Sequence, residues 1–61
     1  MDKLLYRVEE AADVLGIGRT RVFHLIRTGA LRSVKIGASR RVPAAAIREY
    51  LAALLGQAEA A

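Results

Sequence analysis

Eight basic side chains, Arg19, Arg21, Arg27, Arg32, Lys35, Arg40, Arg41 and Arg48, fall between Asp13 and Glu49 with no acidic residue among them. Cations gathered without counter-charges bind anions, and a long run of them favours a polyanion over a small one. The flanks carry the opposite sign: Asp2, Glu9, Glu10 and Asp13 outnumber Lys3 and Arg7 at the front, and Glu49 and Glu59 stand at the back. Charge is therefore sorted along the chain, and the net +4 is what remains of eight positives after four surplus negatives.

Other chemistries have little to work with. There is no cysteine, and the single His24 cannot build a metal centre alone. No nucleophile stands beside a base, no glycine-rich phosphate loop leads into a helix, and 61 residues are too few to enclose a pocket. The expectation is a protein that is not an enzyme and holds neither cofactor nor metal. A single domain spanning 1–61 follows from the length, and a domain of this size buries only about 60% of the surface its unfolded chain exposes. Without a disulfide, its stability rests on packing. The longest apolar run, Tyr50 to Leu55, falls well short of the roughly 20 residues a membrane span requires. No secretory signal is read at the N-terminus, so an intracellular protein without a membrane partner is expected.

The elements that position the cations can be read from periodicity. Val8, Ala11, Ala12 and Leu15 recur at i, i+3, i+4 and i+7, which predicts a helix over Val8–Leu15 with Glu9, Glu10 and Asp13 facing outward. Gly16 can take the left-handed conformation that ends a helix abruptly, and Gly18 follows within the turn. A second helix begins near Arg19, buries Val22, Leu25 and Ile26, and stops at Thr28 and Gly29. Opposite its apolar stripe lie Thr20, His24 and Arg27, flanked by Arg21 on one side and Phe23 on the other. The run Leu31–Ile36 alternates with period two and reads as a strand, with Val34 and Ile36 on one face and Ser33 and Lys35 on the other. Gly37, Ala38 and Ser39 supply a turn, and Arg40–Val42 return antiparallel. Pro43 suits the first turn of a third helix, whose stripe of Ile47, Tyr50, Leu51 and Leu54 closes the core. That helix is expected to fade at Gly56 and to leave a frayed tail over about 57–61. The fold class is thus mainly α: three helices, with a two-stranded antiparallel hairpin between the second and third.

Two short helices joined by a glycine-containing turn outline a helix-turn-helix, in which the second helix enters the major groove of DNA. Small Ala12 suits the crossing of the two helices. Residues expected to touch DNA are Arg19, Thr20, Arg21, His24 and Arg27 on the second helix, and Lys35, Ser39, Arg40 and Arg41 around the hairpin. Thr20 can reach a base edge or a phosphate, and Arg41 suits a narrow minor groove. The cations of the helix face are read as having no acid beside them. Phe23 is expected to pack against the core or the hairpin, and the directions of Arg32 and Arg48 depend on packing.

The run Val8–Ile17, then Arg19–Leu31, then Val34–Gly37 with Arg40–Pro43, resembles the excisionase type of winged helix-turn-helix domain, related to the DNA-binding heads of mercury-resistance-type regulators. The likeness covers about residues 4 to 54. It implies a recognition helix in the major groove and a hairpin wing along the minor groove or its phosphates. In phage members it implies a recombination directionality factor that binds attachment-site DNA cooperatively, bends it, and favours excision by an integrase. Neighbouring copies and an integrase are then partners, and the setting is the cytoplasm and nucleoid of a phage host or other prokaryote. Arg7 stands where such domains carry a capping hydroxyl, Gly18 where they carry serine or aspartate, and Phe23 where many have tyrosine. Two alternatives stay open: a small single-domain transcription regulator, and a protein-interaction module that docks an acidic partner on its basic face. A sensor of the mercury-resistance type is not expected, because no effector domain follows Leu55 in this sequence.

Overall fold

The computed structural model describes residues 3–60, with side chains as far as Ala58. The chain runs through β1 (Leu5–Arg7), α1 (Val8–Leu15), α2 (Arg19–Thr28), β2 (Val34–Ile36), β3 (Ser39–Pro43) and α3 (Ala44–Ala60). The three strands form one antiparallel sheet in the order β1-β3-β2. This is a winged helix-turn-helix, with β2 and β3 as the wing.

Both helices of the motif end as their glycines predict. Gly16 takes φ 71°, and the N–H groups of Gly16 and Ile17 donate to the carbonyls of Asp13 and Ala12 at 3.2 and 3.0 Å, so the last turn of α1 is closed by backbone bonds. The same turn swings Ile17 against the core. Gly29 takes φ 85° after α2, and the Leu31 N–H donates to the Leu25 carbonyl at 3.1 Å. Leu31 is thereby driven fully into the core with Val22 and Val42. Around them pack Val8, Ala11, Ala12, Ala46 and Ile47, and the small alanines let α1 approach α2, and α3 approach β3, closely.

The sheet departs from the expected hairpin in several respects. A third strand is present: Leu5, Tyr6 and Arg7 pair with Pro43, Val42 and Arg41. β1 gives the otherwise isolated wing a second neighbour, as a lone hairpin is at best marginal in water. The strand expected from Leu31 begins only at Val34, because Leu31 is committed to the core. The turn is shorter than Gly37–Ser39: Ile36 pairs with Ser39, which leaves only Gly37 and Ala38 in the loop. Gly37 at φ 61° occupies the first loop position, where a two-residue hairpin needs a positive φ. Pro43 closes β3 instead of opening α3, and the Ala44 N–H is taken by the Leu4 carbonyl at 2.8 Å. Val34 and Ile36 are 40% and 56% exposed, so neither serves the core.

Helix α3 also differs at its far end. It continues through Gly56 to Ala60, since a glycine not driven into the left-handed region costs only about 1 kcal/mol in a helix and alanines surround it. Residue 61 lies outside the described residues. Only the first half of α3 reaches the core: Ile47 is buried and Tyr50 half-buried, while Leu51 and Leu54, expected to be core, are 42% and 41% exposed. The helix outruns the body it packs on, consistent with a molecule 40 Å long and only 17 Å thick.

At the start of α1 no side chain caps the first helical N–H groups, and Glu10 supplies only the reciprocal contact to the backbone just before the helix. Glu10 accepts a hydrogen bond from the Arg7 N–H at 2.9 Å and is ion-paired with Lys3. These contacts, Lys3 first and the Arg7 N–H second, hold the Glu10 carboxyl below its ordinary range. Gly18, before α2, offers no side-chain cap.

Candidate nucleic-acid interface

α2 turns Val22 inward and leaves Thr20, Arg21, His24 and Arg27 exposed. These four line a single shallow depression with Leu25. The polar ridge expected from helical spacing is therefore a continuous surface. Arg19 sits at the head of this face but is not alone: its Nε lies 3.3 Å from Glu9 Oε1, and its guanidinium covers the Phe23 ring at 5.1 Å from the centroid. The expectation that no acid stands beside these cations thus fails at Arg19. α1 packs across α2 and carries Glu9 to the helix start, a proximity that linear charge sorting does not reveal.

The wing holds the second group. Lys35 pairs across the hairpin with Arg40, and Arg41 stands opposite Val34 on one side and Arg7 on the other. Arg40 donates through Nη1 to Ser33 Oγ at 2.8 Å, and Arg41 donates through Nη1 to the Arg40 carbonyl at 3.1 Å. Ser39, beside the turn, is exposed. Two residues absent from the expected contact set acquire roles here. Ser33 orients Arg40, from a position diagonal to it that a two-residue turn would have indicated. Arg7 joins Arg41 only because β1 exists.

Arg32 points elsewhere. It makes a two-pronged ion pair with Glu49, Nε to Oε1 at 2.9 Å and Nη2 to Oε2 at 3.2 Å, which ties the segment before the wing to α3. Of the eight cations, Arg19 and Arg32 thus have carboxylate partners; Arg21, Arg27, Lys35, Arg40, Arg41 and Arg48 have none among the described residues.

Helix face and wing are not separate patches. Arg27 and Arg40 line one cleft, together with Phe23, Ile26 and Leu31, between the end of α2 and the base of the wing. Phe23 also lines a second cleft toward β1, so it fills the angle between α2 and the sheet rather than joining the core. The arrangement offers cations on a protruding helix and on a thin hairpin beside it, joined by a concave apolar seam. Such a surface can follow a charged, grooved partner. Among the described residues no helix is long and apolar enough to cross a membrane.

Comparison with known proteins agrees with this geometry. A family model described as a helix-turn-helix domain matches residues 5–54. A protein of Saccharopolyspora erythraea described as "Probable excisionase" is 47% identical over 60 residues. The alignment covers 98% of this chain and 61% of that relative, so the chain spans about three-fifths of its length. No solved structure matches. The family match extends from β1 into the outer half of α3 and so takes in the motif, the wing and the helix that closes the core: the chain belongs to the helix-turn-helix domain family.

Proposed function

We propose that the protein binds double-stranded DNA as an excisionase, a recombination directionality factor. The recognition helix α2 enters the major groove with Arg19, Thr20, Arg21, His24 and Arg27, and the wing follows the adjacent minor groove or its phosphates with Lys35, Ser39, Arg40 and Arg41. The observation that carries this reading is the continuity of the two surfaces, with Arg27 and Arg40 lining one cleft. The likeness to the excisionase-described relative supports it.

A domain of this size covers only about 600–1,000 Å² on DNA, so one copy gives modest affinity. Function then depends on neighbouring copies binding side by side, bending attachment-site DNA and bringing integrase-bound arms together. Exposed Leu51, Leu54 and Leu55 on the projecting half of α3 support protein contacts of this kind. The setting is the nucleoid of a prokaryotic cell. Gel-shift and footprinting on attachment-site fragments test the proposal: a ladder of complexes with phased protection is expected. A single complex on a promoter would point to a transcription regulator instead, and no shift on any duplex to a protein-interaction module.

A further inference from the structure

Four arginines meet at a place the charge pattern does not announce. Arg7, Arg19, Arg40 and Arg41 line a cleft of about 270 Å³ between the β1 side of the sheet and the start of α2, with Glu9 and Phe23. Arg7 and Arg41 are direct cross-strand partners, and their side chains share one face of the sheet. Like charges in that relation destabilise a sheet. Glu9 offsets only one of the four, because it is paired with Arg19. The hydrogen bonds that Arg40 and Arg41 make go to neutral oxygens, and no acceptor among the described residues takes the Arg7 guanidinium. Arg40, next to Arg41 in β3, leaves the opposite face of the sheet and sends its guanidinium to Ser33, so the excess charge of the cleft rests on Arg7 and Arg41, an unfavourable pair in its wall that Glu10 eases only through space.

An anion in the cleft would turn that repulsion into attraction. Guanidinium forks match the paired oxygens of a phosphate, and no other group in a duplex offers an equivalent anion. We propose that this cleft seats one backbone phosphate of bound DNA and that Arg7 and Arg41 are its principal donors. This inference rests on the duplex-binding reading above and adds Arg7, a β1 residue, to the contact surface. Arg19, held by Glu9 and stacked on Phe23, forms the opposite wall.

The test compares the full chain with Arg7→Gln and Arg7→Lys in duplex binding across a salt series. Arg7→Gln lowers the magnitude of the log–log salt slope by about 0.9, by the same amount on attachment-site and unrelated duplexes, and Arg7→Lys restores it. By circular dichroism melting the free Arg7→Gln protein stays folded, because the loss of a through-space attraction to Glu10 is set against relief of the repulsion by Arg41, whereas a purely structural role would show as unfolding. A duplex with a neutral methylphosphonate at the contacted position weakens wild-type binding and leaves Arg7→Gln unaffected. An unchanged slope in Arg7→Gln, with wild type binding normally, overturns the site alone. Protection of wild type by inorganic phosphate, abolished in Arg7→Gln without a change in slope, would assign the cleft to free anions and overturn the backbone assignment. Failure of the wild type to bind any duplex removes the DNA reading and this inference with it.

Discussion

Arg41 sits at the centre of the sheet, opposite Arg7 and Val34, while Arg40 beside it is steered by Ser33. If both meet phosphates, Arg41→Ala lowers the salt slope of duplex binding by about 0.9, and Ser33→Ala weakens binding without changing net charge, by leaving Arg40 free to wander. Salt-series anisotropy on both variants separates charge from orientation. Glu10 gives a prediction of a different kind. Its carboxyl is held below the ordinary range by Lys3 and the Arg7 N–H, so its contribution to stability is present above the unfolded-state value and is lost as pH falls through the lowered one. In acid-limb denaturation, wild type and Glu10→Gln should converge at low pH and separate at neutral pH, with wild type the more stable. At this scale the sequence is informative about which side chains are basic and poor at saying which are already engaged. Glu9 reaches Arg19 and Glu49 reaches Arg32 only through the packing of one element on another.

Helices α1 and α2 are legible in the sequence because each writes its own signals locally: an apolar stripe at helical spacing and a glycine just beyond the end. Gly16 shows how much rests on that signal. Its φ is 71° and nothing lies within 4 Å of where a Cβ would stand, so Gly16→Ala meets no clash and its cost is conformational. A loss of about 1–2 kcal/mol is expected in urea unfolding, with the slope of the transition unchanged. Gly37→Ala, at φ 61° in the wing turn, should weaken DNA binding as well, since it disturbs the hairpin that carries Arg40 and Arg41. Strand β1 is not legible. Leu-Tyr-Arg is too short to show alternation, and its partner β3 lies far along the chain, so only the folded topology brings Arg7 to Arg41. The end of α3 misleads for the opposite reason: Gly56 looks like a stop, but nothing turns the backbone left-handed there.

At the scale of the whole molecule, the core is small and built around Val22, Leu31 and Val42, with alanines at the helix crossings. A chain this short has little stability in reserve, so Leu31→Ala, at about 2–5 kcal/mol, should leave a large unfolded fraction visible by circular dichroism at room temperature. The core also explains the elongated shape, because it ends where Tyr50 ends and α3 continues alone. The end of α2 and the base of the wing meet at one cleft, with Arg27 and Arg40 in its wall, which joins the α2 face to the hairpin.

The salt dependence of duplex affinity reports whether this surface binds DNA through its unpaired cations. Duplex affinity as a function of salt should be determined for wild type and for the combined Arg21→Ala, Arg27→Ala, Arg40→Ala, Arg41→Ala variant, after folding of both is checked by circular dichroism. A steep wild-type dependence is expected, flattened in the variant by up to about 0.9 in log–log slope for each phosphate that is no longer neutralised, with a large drop in affinity at moderate salt. An affinity and slope that survive removal of all four arginines would contradict the account.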